Sequence, residues 1–240
     1  MDIEKPVFSI LIPVYNEESI LEDSIDNLLQ AVTRIDNTQK FELILCENGC
    51  TDETPAISKK LAARWSVIRI EQLPVASYGK ALRHGMRAAQ GKNLITFNAD
   101  FWDVDFLVNS LRMLKEFDIV IGSKNAPGSS DKRPFLRKSI TTGFNRLIQI
   151  LFGFKGTDTH GIKAFRTAPI VRIVEECITE GEIFDTELII RAQRSGLNIS
   201  EIPVSVGEMR PSRYSLLQRI PKTLLDLILL IRIFGFNNSD

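Results

Sequence analysis

The sequence predicts an α/β fold built on a mostly parallel, doubly wound sheet, and three observations predict it. Apolar runs of strand length recur through the first half of the chain. Stretches with apolar residues at helical spacing separate them. The connections are short, so strand and helix alternate as in consecutive βαβ units. A chain of 240 residues is long enough for one large domain of this kind and too short for two.

Each element has its own justification. Val7 to Pro13 (VFSILIP) is a continuous apolar run that suits a strand buried on both faces. A helix follows, with Ile20, Leu21, Ile25, Leu28, Leu29 and Val32 on one face. Phe41 to Cys46 reads as the second strand. Thr54 then offers an N-cap, with Pro55 at the first helical position, to open the second helix. Val67 to Ile70 is a third strand, Gly79 to Ala89 a third helix and Asn93 to Phe97 a fourth strand. A helix through Leu107 to Leu114 leads to a fifth strand, Phe117 to Gly122.

The second half changes character. Asn125 to Arg133 (NAPGSSDKR) is a charged, Gly/Pro/Ser-rich loop long enough to carry function. Beyond it the pattern predicts helices over Pro134 to Phe152, Pro169 to Cys177 and Phe184 to Ser195, with strands at Gly161 to Phe165 and Ile199 to Val204. Residues 1–214 make up the predicted domain. Residues 215–240 hold an apolar helix, Leu216 to Phe234, that carries Arg219, Lys222 and Arg232. That pattern fits a helix lying in a bilayer interface or one packed on the protein's own core.

Charge excludes one class of partner. Basic and acidic residues balance at thirty each, so no global field points to nucleic acid. Locally, between Ile121 and Ile150, the bases Lys124, Lys132, Arg133, Arg137, Lys138 and Arg146 face the single acid Asp131. Such a cluster is either a solvated helix face or a phosphate site. Cys46, Cys50 and Cys177 have neither disulfide-framework nor zinc spacing and read as free thiols of a reducing compartment. The acidic N-terminus runs directly into a strand, unlike a signal peptide. No apolar run reaches the roughly 20 residues that span a bilayer. The expected location is cytoplasmic, at most peripheral at the cytoplasmic face of a membrane.

In open parallel sheets, ligands bind in the crevice outside the carboxyl ends of the strands. Three polar clusters stand at such ends: Pro13-Val14-Tyr15-Asn16-Glu17, Glu47-Asn48-Gly49-Cys50-Thr51-Asp52 and Asn98-Ala99-Asp100. One acid after a strand is usually a cap or turn residue; three clusters at three strand ends point to one ligand crevice. The chain has neither G-x-G-x-x-G after its first strand nor a Walker loop. His84 and His160 are the only histidines, too few for a histidine-based triad or metal centre, and His84 reads as an exposed helix residue.

These segments resemble the three signatures of family 2 glycosyltransferases with the GT-A fold: SILIPVYNEE at Ser9 to Glu18, ENGCTDET at Glu47 to Thr54, and Asn98-Ala99-Asp100. The second half is most similar to the dolichol-phosphate mannose synthase and polyprenyl-phosphate glycosyltransferase branch. The similarity there runs through Gly79-Lys80-Ala81, Gly122-Ser123-Lys124, the Arg137, Thr141 and Asn145 helix, Gly161 to Arg166 and Phe184 to Gly196. The resemblance implies an inverting transferase that moves a hexose from a UDP- or GDP-sugar to a polyprenyl or dolichyl phosphate.

The resemblance also implies residue roles. Tyr15 and Glu17 line the base and ribose pocket, Asn48 and Asp52 belong to the second signature, and Pro13 and Lys80 lie on the donor side. Asp100, with Asn98, holds Mg2+ or Mn2+ on the donor diphosphate. Arg137 and Thr141 hold the acceptor phosphate, Lys124 supplies charge, and Arg210 or Arg213 contacts phosphate near closure of the site. Four positions depart from the pattern. Asn98 replaces the first acid of D-x-D, Trp102 stands where a glutamine often assists the metal, and Glu47-Asn48 stands where two aspartates are usual. Asp103 can substitute for the missing ligand, or Lys124 and the arginines can carry the neutralisation. Asp185 keeps open a sugar-hydroxyl acceptor, for which it is the base, and is equally a helix N-cap. Asn98 and Trp102 also leave room for a non-catalytic nucleotide-sugar-binding domain.

Overall fold

The computed structural model describes residues 6–35, 40–131, 134–206 and 216–235, without the side chains of residue 137 and residues 216–224. The chain runs β1 (Phe8–Val14), α1 (Leu21–Ile35), β2 (Phe41–Asn48), α2 (Thr54–Arg64), β3 (Ile68–Leu73) and α3 (Tyr78–Ala88). It continues with β4 (Asn93–Thr96), α4 (Val104–Met113), β5 (Ile119–Ser123), β6 (Ser130–Asp131) and α5 (Phe135–Phe152). β7 (Lys163–Arg166), α6 (Thr167–Glu176), α7 (Phe184–Arg194), β8 (Ile199–Pro203), β9 (Ser205–Val206) and α8 (Leu216–Phe234) complete it. Among the described residues seven strands form one sheet in the order β3-β2-β1-β4-β7-β5-β8, and β6 pairs with β9 in a second, two-stranded sheet. Every pairing in the large sheet is parallel except those of β7, which runs antiparallel between β4 and β5.

The apolar strands divide their side chains by the period of two. Leu11, Ile44 and Leu94 enter a core with α3, α5, α6 and α7. Ile10, Ile12, Leu43 and Leu45 enter the opposite core with α1 and α4. The α1 stripe is buried as its spacing predicts, at Leu21, Ile25, Leu28, Leu29 and Val32. α8 packs through buried Leu230 and through the Phe234 ring, 5.9 Å from that of Phe152. Among the described residues no helix is long and apolar enough to cross a membrane.

Two local expectations need correction. Thr54 is the first residue of α2 rather than its cap, and its hydroxyl accepts from Glu17 N at 2.8 Å instead. Asp185 is the second residue of α7, not an N-cap, and Ile183 stands at the cap position. The chain steps from β1 outward to β2 and β3, then returns to β4 on the other side of β1. This reversal leaves a crevice between the carboxyl ends of β1 and β4, flanked by β2.

Candidate active site

The floor of the crevice is a lacework between the loops after β1 and β2. Asn16 adopts a left-handed φ of 51°, which Asn tolerates better than most residues. Its amide donates to Thr51 Oγ1 at 3.1 Å and accepts from Thr51 N at 2.8 Å. Asp52 accepts from Thr54 N at 3.0 Å and Glu18 N at 3.3 Å. Burial opposes ionisation of Asp52, but hydrogen bonds from Thr54 and Glu18 outweigh it and hold the carboxyl below its ordinary range. Asn48 is buried, donating to Val14 O at 2.8 Å and accepting from Ser77 N at 3.0 Å. Both ends of its amide therefore tie the floor to the segment before α3. Gly49 has φ 66°, and a Cβ there would lie 2.8 Å from Val75 C. Only glycine fits that approach without backbone movement.

The third cluster is a tight turn. Asn98 and Phe101 exchange backbone hydrogen bonds of 3.1 and 3.2 Å, which places Ala99 and Asp100 at the tip. Trp102 turns away to donate to Ser24 Oγ at 3.0 Å, and Ser24 in turn donates to Ala99 O at 2.6 Å. Asp103 caps α4 by accepting from Phe106 N at 2.9 Å, which engages its Oδ1. The loops after β1 and β2 are thus joined directly, Asn16 to Thr51 and Glu17 to Thr54, and the Asn98–Phe101 turn is tied to α1 through Ser24. Asn48 and Asp52 act as scaffold within the loops they occupy.

Because β7 is antiparallel, the loop entering it, residues 156–162, arrives at the same edge of the sheet. Gly161 lies so close to β5 that a Cβ would come within 2.7 Å of Gly122 O. Lys124, at the end of β5, faces the fully buried Asp158 at 3.0 Å and donates to His160 O at 3.0 Å. The positive charge expected of Lys124 is therefore balanced by Asp158, and Lys124 acts as a placed donor. Beside it, Lys163 Nζ lies 3.0 Å from Asp185 Oδ1, and the Tyr78 hydroxyl donates to Asp185 Oδ2 at 2.9 Å. Burial, then the Asp185 charge, holds the Tyr78 phenol well above its ordinary range, so it remains a neutral donor. Burial also pushes the His160 imidazole below its ordinary value, with Lys124 and Lys163 reinforcing and Asp185 and Asp158 opposing the shift.

The remaining expected residues lie at different distances from this centre. Thr141 is half-buried on α5, and Arg137 lies in the first turn of the same helix. Lys80 forms an exposed ion pair with Glu180 at 2.9 Å. His84 is half-exposed and pairs with Glu71 at 2.8 Å. Arg210 and Arg213 fall outside the described residues. Sequence reasoning assigned nothing to Asp158, Lys163 or Tyr78. The only signal for Asp158 was an acid standing two residues before a histidine in irregular chain.

As for a divalent cation, the described residues contain no group of three or more His, Cys, Asp or Glu side chains able to hold one. Asp100 and Asn98 offer one carboxylate and one carboxamide. A hard cation takes six or more oxygens, so this set fits one only where a ligand's anionic oxygens complete the shell.

The fold is that of an α/β protein with a crevice at the switch point of its sheet, where such folds bind ligands. The model of glycosyl transferase family 2 matches residues 9–173, and the chain belongs to that family. It is 28% identical over 257 residues to the dolichyl-phosphate beta-glucosyltransferase of Saccharomyces cerevisiae, covering 95% of this chain and 75% of that one. It is 29% identical over 201 residues to glycosyltransferase AglD of Haloferax volcanii, covering 82% of this chain but only 32% of that longer protein. Among solved structures, glucosyl-3-phosphoglycerate synthase of Mycobacterium tuberculosis, in complex with Mn2+, UDP and phosphoglyceric acid, superposes with a TM-score of 0.68 at 20% identity. That match covers 98% of this chain and 80% of the synthase. The mostly parallel α/β architecture and the glycosyltransferase activity class are as the sequence predicts.

Proposed function

We propose that this glycosyltransferase moves a hexose from a UDP- or GDP-sugar to a polyprenyl or dolichyl phosphate, with inversion at the anomeric carbon. The observation that carries the acceptor is an apolar face on the helix that bears Thr141 and Arg137. On α5, Phe135 is 84% exposed, and Leu136, Ile140, Leu147 and Ile150 are exposed with it. On α8, Leu225, Ile228 and Leu229 are exposed as well. Monomeric soluble proteins rarely leave so many large apolar side chains together in water. A lipid-linked phosphate accounts for the combination: its head enters the crevice while its hydrocarbon stays in the bilayer on which α5 and α8 rest. The similarity to a dolichyl-phosphate beta-glucosyltransferase supports the same acceptor and favours glucose as the hexose.

A phosphate monoester has a second pKa of about 6, so the acceptor oxygen is already anionic at neutral pH and needs no base. Asp185 fits that economy, since both its oxygens are engaged by Lys163 and Tyr78. What the reaction demands is relief of repulsion between acceptor phosphate and donor diphosphate. Lys124 contributes a fixed N–H donor to the donor diphosphate at the end of β5, while Arg137 and Thr141 hold the acceptor head. Asp100 and Asn98 would hold Mg2+ or Mn2+, which supplies neutralisation of the leaving diphosphate. Tyr15 and Glu17 stand over the laced floor as walls for the nucleoside. Residues 215–240 join the catalytic domain as a peripheral membrane contact at the cytoplasmic face.

Incubating the full chain with UDP- and GDP-hexoses and a polyprenyl phosphate in detergent tests the reading. Sugar should pass into the organic-extractable lipid. Turnover confined to sugar-hydroxyl acceptors, or donor binding without turnover, would defeat it.

A further inference from the structure

Segment 156–160 ties together β8, the end of β5 and α5. Glu201 on β8 accepts from Thr157 N at 2.7 Å and from Asp158 N at 3.2 Å. From the end of β5, Asn125 donates to Thr157 O at 3.2 Å. From α5, Gln149 donates to Gly156 O at 2.7 Å. At the centre lies Asp158, fully buried. Its Oδ1 accepts from His160 N at 3.0 Å and from Asn145 Nδ2 at 3.4 Å, and its Oδ2 faces Lys124 Nζ at 3.0 Å.

These partners belong to opposite sides of the crevice. Lys124 ends β5, on the donor side. Asn145 lies on α5 one turn beyond Thr141 and two beyond Arg137, on the stripe assigned to the acceptor. Asn145 is 2% exposed, and among the described residues neither its Oδ1 nor Asp158 Oδ2 has a hydrogen-bond partner, the latter meeting Lys124 Nζ as an ion pair. The Asn145 Nδ2 contact with Asp158 is what the amide supplies.

We propose that Asp158 is a positioning residue, a latch that registers the acceptor helix α5 against the donor-side Lys124 through one carboxylate. The inference rests on the donor and acceptor sides assigned under the proposed function. A buried carboxylate shared between two polar partners has no slack, since moving either one breaks a contact in a medium where solvent cannot replace it. α5 and the end of β5 are then held in one register, as in-line transfer requires.

The test uses the full chain and compares Lys124→Gln, Asn145→Ala and Asp158→Asn. Lys124→Gln should raise chiefly the donor KM, and Asn145→Ala chiefly the acceptor KM. Asp158→Asn should raise both, each by about tenfold or more, the scale of a lost charge-assisted hydrogen bond. Adding Asn145→Ala to Asp158→Asn should worsen the acceptor KM no further, since both break one contact. A purely structural residue would lower the melting temperature without this pattern. An Asp158→Asn effect on one substrate only, or additivity of the double variant, overturns the latch. If Asp158→Asn fails to fold, Glu201→Gln should show the same two-sided pattern in weaker form, and a one-sided effect there counts against the proposal equally.

A second readout needs no acceptor. In the wild type, binding of UDP or GDP should slow hydrogen exchange along α5 between residues 141 and 149, and Asp158→Asn should abolish that response. An α5 that ignores the nucleotide in the wild type overturns the latch, as does a wild type that binds neither nucleotide. Failure of transfer to lipid phosphate with this response intact would instead defeat the acceptor reading and leave the latch standing.

Discussion

Replacing Asp185 by alanine separates two roles that the sequence left open. The side chains of Lys163 and Asp185 are only 1% and 7% exposed, and their charged atoms meet at 3.0 Å. Removing the carboxylate strands an ammonium inside the protein and leaves the Tyr78 hydroxyl without its acceptor. Breaking a buried pair in this way costs about 3–5 kcal/mol. For a chain of this size each kcal/mol lowers the melting temperature by about 2–4 °C, so the expected drop is roughly 6–20 °C. Replacing the pair together, as Lys163→Met with Asp185→Leu, should recover most of that loss, because the desolvation cost of both charges disappears with them. Thermal melts of the three proteins followed by circular dichroism supply the numbers. The reasoning fails if Asp185→Ala melts within about 3 °C of the wild type. It fails also if Asp185→Asn keeps its melting temperature and loses about a hundredfold or more in rate, the signature of a general base.

Three further outcomes follow from the same geometry. Burial holds His160 below its ordinary pKa, so between its folded value and about 6.5 the unfolded chain binds a proton that the folded chain refuses. Stability should therefore fall as pH drops below about 6.5, and His160→Gln should flatten that acid limb in melts compared at neutral and mildly acidic pH. Titration calorimetry with Mn2+ should detect weak binding to the free protein and clear binding with UDP or GDP present. Asp100→Ala should eliminate the nucleotide-dependent part and Asn98→Asp should strengthen it, whereas nucleotide binding indifferent to both metal and Asp100 would remove that site from the account. Phe135→Glu with Leu225→Glu should abolish liposome flotation with little change in melting temperature, since both side chains are exposed; flotation equal to the wild type would refute the docking face.

Much of the fold was legible because its signals are local. Phe8–Val14 and Phe41–Asn48 are buried on both faces along most of their length and advertise it by continuous apolarity, and the α1 stripe follows its period residue by residue. Sheet order is not local. Nothing in Lys163–Arg166 reveals that β7 is inserted antiparallel between β4 and β5, since a short strand reads the same in either direction. The crevice was legible as three polar strand ends, but the division of labour within them was not. Asn48, Asp52 and Asp103 carry groups that suit ligands and loop backbones equally, and the structure gives all three to backbone N–H groups or carbonyls. Lys124 looked like free charge because its counter-ion, Asp158, lies 34 residues away in sequence on a loop without periodicity. The pairing of Asp185 with Lys163 was hidden for the same reason.

The central claim is that a lipid phosphate oxygen is the nucleophile. Phosphorus-31 NMR of the lipid product, purified after turnover with a nucleotide hexose and polyprenyl phosphate, addresses it directly. The account predicts that the monoester resonance is replaced by a phosphodiester resonance whose phosphorus couples to the anomeric proton, with the anomeric configuration opposite to that of the donor. A monoester resonance that survives turnover, with the sugar attached to a hydroxyl instead, would contradict it.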